Sequence, residues 1–275
     1  MNKLQSILYF IFFFGLSVSA QESFKIWEGA NMTHKQKQSK LTVFLPEKPD
    51  TSDISVIICP GGSYYWLDKK NEGYEVAKYL NKHGITAFVL QYRTARKGNH
   101  YPAMIEDLEQ AMKIVKTNAK EYGIAPQKVG VMGFSAGGHL VGTLAIYHSK
   151  PTLKPYFTAM IYPVVSMEDS ICHTKSRKNL LGKEYPQVLA EKMSLEKNVY
   201  GNMSPVFLLH CIGDQTVDYR NSVVFDKALT EKKVPHTFLL LDECGMGGHG
   251  FGIQPNGKAT GWIDEFLQWV KSIKN

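Results

Sequence analysis

The chain has 275 residues, of which 44% are hydrophobic and 21% charged. That is a globular composition sized for one α/β domain, and it excludes disordered and collagen-like classes. The formal charge of +7 comes from 32 basic residues set against 25 acidic ones. They are scattered, whereas a nucleic-acid binder gathers its charge on one face or helix, so the charge speaks against nucleic acid as a partner.

Residues 1–20, MNKLQSILYFIFFFGLSVSA, have the build of a signal peptide. Lys3 supplies the positive n-region, Ile7 to Leu16 the apolar h-region, and Val18 and Ala20 the small residues that place the cut before Gln21. The competing reading is an uncleaved anchor, but the apolar run falls short of the roughly 20 residues that span a bilayer. No later segment is long and apolar enough to cross a membrane. The expectation is an exported protein, periplasmic or secreted, whose residues 21–275 form a single domain.

Strand-like and helix-like runs then alternate. Leu41–Leu45 and Ile54–Cys59 are apolar or β-branched and read as strands. Gly73–His83 reads as a helix that Gly84 ends, and Ile85–Gln91 as the next strand. Tyr101–Ala119 carries Met104, Leu108, Met112 and Val115 at helical spacing. Lys128–Gly133 is a strand, Gly137–His148 a helix and Thr158–Tyr162 a short strand. Val206–Cys211 and Thr237–Leu241 are strands around a helix at Ser222–Lys232, and Trp262–Lys274 is a closing amphipathic helix. This alternation predicts an α/β fold with a mostly parallel sheet and helices on both faces. Residues 165–204 break it and read as an inserted lid or a wall of the binding site.

The cysteines give no metal or redox signature, because no C-x-x-C spacing occurs. Cys59 in SVIIC and Cys211 in VFLLHC lie in apolar strands and read as buried thiols. Cys172 with Cys244 is the pair expected to form any bridge.

Residues 133–137, Gly-Phe-Ser-Ala-Gly, follow the strand VGVM and open the helix GGHLVGTLAI. A G-x-S-x-G run between a strand and a helix is the setting of a nucleophile elbow. The sharp turn strains the backbone at Ser135 and leaves no room for larger neighbours, so glycine flanks it. The competing reading is a helix N-cap serine after a glycine turn.

A hydroxyl is a weak nucleophile at neutral pH and needs a base. His249, in the loop Gly-Gly-His-Gly-Phe-Gly after the last strand, is the candidate. His139 lies inside the helix after the elbow and reads as a packing residue; His210 and His236 read as structural. The base needs an acid to set its tautomer. Asp214 lies just past the carboxyl end of a strand, where parallel sheets place functional loops. Asp218 is the rival acid, with a helix cap as its other reading. Residues 59–65, Cys-Pro-Gly-Gly-Ser-Tyr-Tyr, form a glycine-rich loop after an early strand. The N–H groups of Gly62 and Ser63, with that of Ala136, would form an oxyanion hole. Tyr64, Tyr65 and Trp66 follow as candidate substrate contacts that would stack on sugar rings, with core packing as the alternative. Arg93 reads as structural.

With these residues in place, the chain resembles the α/β-hydrolase superfamily. More narrowly it resembles bacterial acetylxylan and feruloyl esterases related to the hormone-sensitive-lipase group. The matching segments are PGGSYYW, AFVLQYR, YPAMIEDLEQA, GVMGFSAGGHL, IYPVVSM, SRKNLLGKEYP, SPVFLLHCIGDQTVDYRNS and GGHGFG. The resemblance implies the α/β-hydrolase fold, nucleophile Ser135, acid Asp214, base His249 and an oxyanion loop at Gly61–Ser63. The chain departs from it with Pro60-Gly61-Gly62-Ser63 where His-Gly-Gly-Gly is common, and with Asp218 where proline is usual. The activity implied is removal of acyl groups, acetyl above all, from a polysaccharide such as xylan, with no metal or organic cofactor. A small-ester or lipid hydrolase, a serine peptidase of the prolyl-oligopeptidase type and a non-catalytic binding protein are the alternatives.

Overall fold

The computed structural model describes residues 22–27, 33, 36–50, 53–168, 170–242, 244–253 and 261–273. The expected signal peptide lies outside the described residues. Among the described residues, eight strands form one sheet: β1 (Glu22–Lys25), β2 (Lys40–Phe44), β3 (Ser55–Cys59), β4 (Thr86–Gln91), β5 (Val129–Phe134), β6 (Thr158–Ile161), β7 (Val206–Cys211) and β8 (His236–Leu241). The helices are α1 (Glu75–Lys82), α2 (Ala103–Thr117), α3 (Ala136–Tyr147), α4 (Thr174–Leu181), α5 (Gln187–Met193), α6 (Arg220–Glu231) and α7 (Trp262–Ser272).

The sheet order is β1-β2-β4-β3-β5-β6-β7-β8. The pairs β1–β2 and β2–β4 are antiparallel, and all pairs from β4 to β8 are parallel. β1 was not anticipated: its sequence ESFK is mostly exposed and gives no alternating apolar signal. The helix expected from Gly73 opens as a π-helical turn, Lys70–Tyr74, before α1 begins. The irregular stretch 165–204 holds α4 and α5.

Successive strand residues point to opposite faces, and both faces are covered. Ile57, Val131, Met160 and Leu208 pack with Leu108 and Met112 of α2, Val141 and Leu144 of α3 and Phe225 of α6. Their strand neighbours Val56, Ile58, Met132, Ala159 and Leu209 pack with Val76 and Leu80 of α1 and Phe266 and Val270 of α7. Double coverage is why β3, β5 and β7 are buried along their whole length. The register pairs Cys59 with Gly133, Phe134 with Ile161, Ile161 with Leu209 and Cys211 with Leu241. The carboxyl ends of five strands therefore lie side by side. The loops that leave them meet at one edge, where α/β sheets bind their ligands.

An anchor on the α2 face ties the early chain down. Asp107 is fully buried and accepts from Trp27 Nε1 at 2.7 Å, Ser39 Oγ at 2.6 Å, and the Arg93 backbone N–H and Nε at 2.7 and 2.9 Å. Arg93 also bonds Glu106 and the Ala103 carbonyl, consistent with its structural reading. Among the described residues, no helix is long and apolar enough to cross a membrane.

Candidate active site

Ser135 sits between β5 and α3 with φ 53° and ψ −120°, a backbone state that costs about 1–3 kcal/mol and persists only where the surroundings impose it. The surroundings do so here. The Ser135 N–H donates to the Ile161 carbonyl at 2.9 Å, and its carbonyl accepts from His139 at 3.2 Å and Val164 at 3.1 Å. A Cβ on Gly133 would run into the Gly137 carbonyl, and one on Gly137 into that of Cys59. The two glycines let the turn close and let β3 approach it. The serine remains 4% exposed.

His249 Nε2 accepts from Ser135 Oγ at 2.9 Å, and its Nδ1–H donates to Asp214 Oδ2 at 2.7 Å. The structure thus brings together Ser135, His249 and Asp214 from loops after β5, β8 and β7. The imidazole also packs against the Tyr162 ring, centroids 4.7 Å apart. Asp214 Oδ1 is held by the N–H groups of Thr216 and Val217 at 2.8 and 2.9 Å. Burial pushes the Asp214 carboxyl up, but hydrogen bonds from His210 and His249 and the Val217 amide outweigh it and hold it at about 2. Asp218 is turned away: its carboxylate engages the Arg220 guanidinium and backbone N–H ahead of α6.

His210 has more to do with this site than its place in a buried strand suggested. Its Nε2–H donates to Asp214 Oδ2 and to the Val217 carbonyl, both at 3.1 Å, while Nδ1 accepts from Ser222 Oγ at 2.7 Å. Spacing held a clue: His210 and Asp214 bracket the strand end, so a short turn returns the carboxylate to the ring. His173 is a further residue the sequence reading passed over. Burial above all, with the neighbouring His249 and Lys175, pushes its imidazole below the usual range, and Asp214 opposes them.

The loop after β3 is bent through consecutive positive φ values at Gly62 (130°), Ser63 (55°) and Tyr64 (60°). A Cβ at Gly62 would strike the Trp66 carbonyl. The Gly62 carbonyl accepts from Tyr65 and Trp66 at 2.9 and 3.1 Å, and the Gly61 carbonyl from Asp68 at 3.0 Å. The Gly61 N–H is taken by Glu72 Oε2 at 2.7 Å. Among the described residues, the N–H groups of Gly62, Ser63 and Ala136 donate to no protein acceptor, and the loop comes against the serine at Gly61, where a Cβ would lie 2.8 Å from the Ser135 Cβ.

Tyr64 is not placed for substrate contact. It is fully buried, and its O–H donates to His139 Nδ1 at 2.8 Å. His139 Nε2–H in turn donates to the Met193 carbonyl at 2.7 Å, and burial pushes this imidazole down to about 4, so it is neutral. The turn that inverts the backbone at Ser63 and Tyr64 sends the first ring of the Tyr-Tyr-Trp run inward. Tyr65 and Trp66 stay outside, 44% and 48% exposed. The 165–204 segment leans on this loop, since Asn179 Nδ2 donates to the Ser63 carbonyl at 2.8 Å. A cavity of about 580 Å³ lies on the other flank, lined in part by His173, Ile212, Asp214, Gln215 and Tyr219.

The disulfide joins Cys211 to Cys244, with Cα atoms 6.0 Å apart, and not Cys172 to Cys244. Cys211 is the last residue of β7 and pairs in register with Leu241, so its side chain meets the loop that follows β8. The bridge ties the Asp214 turn to the His249 loop. Among the described residues, no group of three or more His, Cys, Asp or Glu side chains is placed to hold a metal ion.

The BD-FAE family model matches residues 41–229. The chain is 33% identical over 253 residues to the acetylxylan esterase of Xylanibacter ruminicola, covering 86% of this chain and 48% of that protein. It is 30% identical over 225 residues to endo-1,4-beta-xylanase B of Butyrivibrio fibrisolvens, covering 78% and 35%. The chain thus spans half or less of the length of these curated relatives. A crystal structure of an acetyl ester-xyloside bifunctional hydrolase from Caldicellulosiruptor lactoaceticus superposes with a TM-score of 0.81 at 28% identity, covering 91% of this chain and 96% of that one. With the match running over most of its length on an α/β-hydrolase fold, the chain belongs to the BD-FAE family.

Proposed function

We propose that the protein is a serine carboxylesterase that removes acyl groups, chiefly acetyl, from a polysaccharide or oligosaccharide of the xylan type. The observation that carries the reading is the hydrogen-bonded row Ser135–His249–Asp214, with the glycine loop packed against the serine at Gly61. Ser135 Oγ attacks the ester carbonyl carbon while its proton passes to His249 Nε2. Asp214 stabilises the imidazolium and fixes Nδ1–H as the donor. The Gly62, Ser63 and Ala136 N–H groups face the oxygen that becomes negative, and one such donor is worth about 100- to 1,000-fold in rate. Collapse breaks the ester C–O bond, and the sugar hydroxyl leaves with the proton from His249. Water then attacks the acyl-enzyme with the same base, releasing the carboxylic acid and restoring the serine.

The names of the matched relatives support a xylan-derived substrate. Exposed Tyr65 and Trp66 on one side and the cavity on the other suit a sugar better than a lipid chain. Residues 165–204 serve as a wall of the site. Export with cleavage before Gln21 belongs to the same reading, and the Cys211–Cys244 bridge suits an oxidising compartment; N-terminal sequencing of the protein recovered from the periplasm or medium tests it. The catalytic assignment is tested with purified protein, a chromogenic acetyl ester and Ser135→Ala. Loss of at least about a thousandfold in kcat is expected, and equal turnover by both proteins would overturn it. Acetylated xylan, feruloylated xylan and simple acyl esters, compared by kcat/KM, then define the acyl group and the carrier.

A further inference from the structure

Glu72 lies in the π-helical turn before α1, outside every motif of the site, yet it is 3% exposed. Oε2 accepts from the Gly61 N–H at 2.7 Å and Oε1 from the Tyr162 O–H at 2.8 Å. The Tyr162 oxygen in turn accepts from the Gly252 N–H at 3.0 Å, and the Tyr162 ring packs on His249. At Gly61, the Glu72 carboxylate and the Ser135 Cβ crowd the same side of the backbone: a Cβ there would lie 2.7 Å from one and 2.8 Å from the other. One buried carboxylate therefore touches the oxyanion loop directly and the His249 loop through a single tyrosine.

We infer that Glu72 is a positioning residue that holds the oxyanion loop and the His249 loop in catalytic register at the same time. The inference rests on the esterase reading of Ser135. The chemistry favours the ionised form for this task, because both neighbours are donors and a carboxylate offers only acceptors. A protonated Glu72 turns one oxygen into a donor, which either breaks the bond from Gly61 or reverses the one from Tyr162 and leaves the buried Tyr162 hydroxyl hydrogen without Glu72 as its acceptor. Turning the Gly61 peptide moves the adjacent Gly62 and Ser63 amides, so the cost falls on the transition state rather than on substrate capture.

The groups facing the carboxyl are Tyr162 and His249 from beyond β6 and β8, Asp68 ahead of the π turn and Tyr92 at the end of β4. Burial pushes the Glu72 carboxyl up to about 7, against the bonds from Tyr162 and Gly61 and the influence of the neighbouring His249, with Asp68 adding to the rise. The sign for stability is opposite to that for activity. A raised carboxyl favours folding while protonated, so this group's contribution is full below the unfolded value and fades as pH rises through about 7. Positioning, by contrast, switches on over that same rise.

The test uses the full mature chain and 4-nitrophenyl acetate, with wild type, Glu72→Gln, Tyr162→Phe and Ser135→Ala compared from pH 5 to 9. For Glu72→Gln, kcat is expected to fall about 10- to 100-fold with KM within about threefold, a loss confined to the transition state. The acid limb of wild-type kcat/KM should be steeper than that of Glu72→Gln, which lacks the Glu72 ionisation. Tyr162→Phe keeps the ring on His249 but removes a bond that favours ionised Glu72, so the acid limb should move to higher pH. That shift serves equally if Glu72→Gln fails to fold. Wild-type kcat with an unchanged acid limb in Glu72→Gln, or an unmoved limb in Tyr162→Phe, would overturn the inference. Undiminished turnover by Ser135→Ala would instead overturn the esterase reading beneath it.

Discussion

His210 donates its Nε2–H to Asp214 Oδ2 across 3.1 Å, so the oxygen that orients His249 is shared by two imidazoles. The shared oxygen is fully buried, and the paired donors keep the carboxylate ionised far below neutrality. His210→Phe preserves most of the ring volume and removes the donor. A fall in kcat of about tenfold is expected, which corresponds to about 1.4 kcal/mol in the barrier. The depressed Asp214 value contributes about 2 kcal/mol of stability that is present above about pH 4 and is lost as pH falls toward 2. Removing His210 raises that value, so acid unfolding followed by circular dichroism should begin at higher pH. An unmoved acid transition with unchanged kcat would refute the coupling.

The choice between the two acids is settled by exchanging each carboxylate for its amide. Asp214→Asn is expected to lower kcat by about 1,000- to 10,000-fold, because the amide admits the wrong histidine tautomer. Asp218→Asn breaks only an ion pair with Arg220 whose partners are about one-third and one-half exposed, so turnover should stay within about threefold of wild type. A larger loss for Asp218→Asn than for Asp214→Asn reverses the assignment.

Tyr64 and Trp66 stand two positions apart but do different jobs. Tyr64→Phe leaves the buried His139 Nδ1 without its donor, at an expected cost of about 1–3 kcal/mol in urea unfolding. Trp66→Ala removes an exposed ring and should leave stability within about 0.5 kcal/mol. Its effect belongs to the substrate: KM should rise severalfold for an acetylated xylo-oligosaccharide and stay level for 4-nitrophenyl acetate. Equal effects on both substrates would place the ring outside any sugar contact.

The Cys211–Cys244 bridge closes a loop spanning 33 residues that contains most of the chain between the acid and the base. The loop-closure relation gives about 3–4 kcal/mol for a ring of that size. Cys211→Ser with Cys244→Ser, or reduction of the wild type, should lower the unfolding free energy by that order. The kcat should fall more than KM changes, because the His249 loop loses its tether to the Asp214 turn. Cys172→Ser should leave the denaturation midpoint nearly unmoved.

The alternation of apolar runs exposed the fold because the central strands β3, β5 and β7 are buried on both faces while helices such as α1, α2 and α7 bury one face. β1 escaped notice for the converse reason: an edge strand with one neighbour carries no apolar demand in Glu22-Ser23-Phe24-Lys25. The G-x-S-x-G turn was readable because its requirement is local, with Gly133 and Gly137 colliding with anything larger. Asp214 could be ranked above Asp218 but not separated from it, since four residues of spacing say nothing about which way a carboxylate turns.

The sequence by itself determined the alternation of β2 to β8 with α1, α2, α3, α6 and α7, the elbow serine and the glycine-flanked histidine, all of which follow from steric and burial rules acting over a few residues. Tertiary structure alone decided the rest. It set Cys211 rather than Cys172 against Cys244, turned Tyr64 inward while Trp66 stayed out, and brought His210 onto Asp214 and Glu72 onto Gly61. Apart from the four-residue return of Asp214 onto His210, these contacts join segments far apart in the chain at the carboxyl edge of the sheet. Their partners are chosen by strand register and by the burial cost of an unsatisfied polar group, and neither is written in a short stretch of chain.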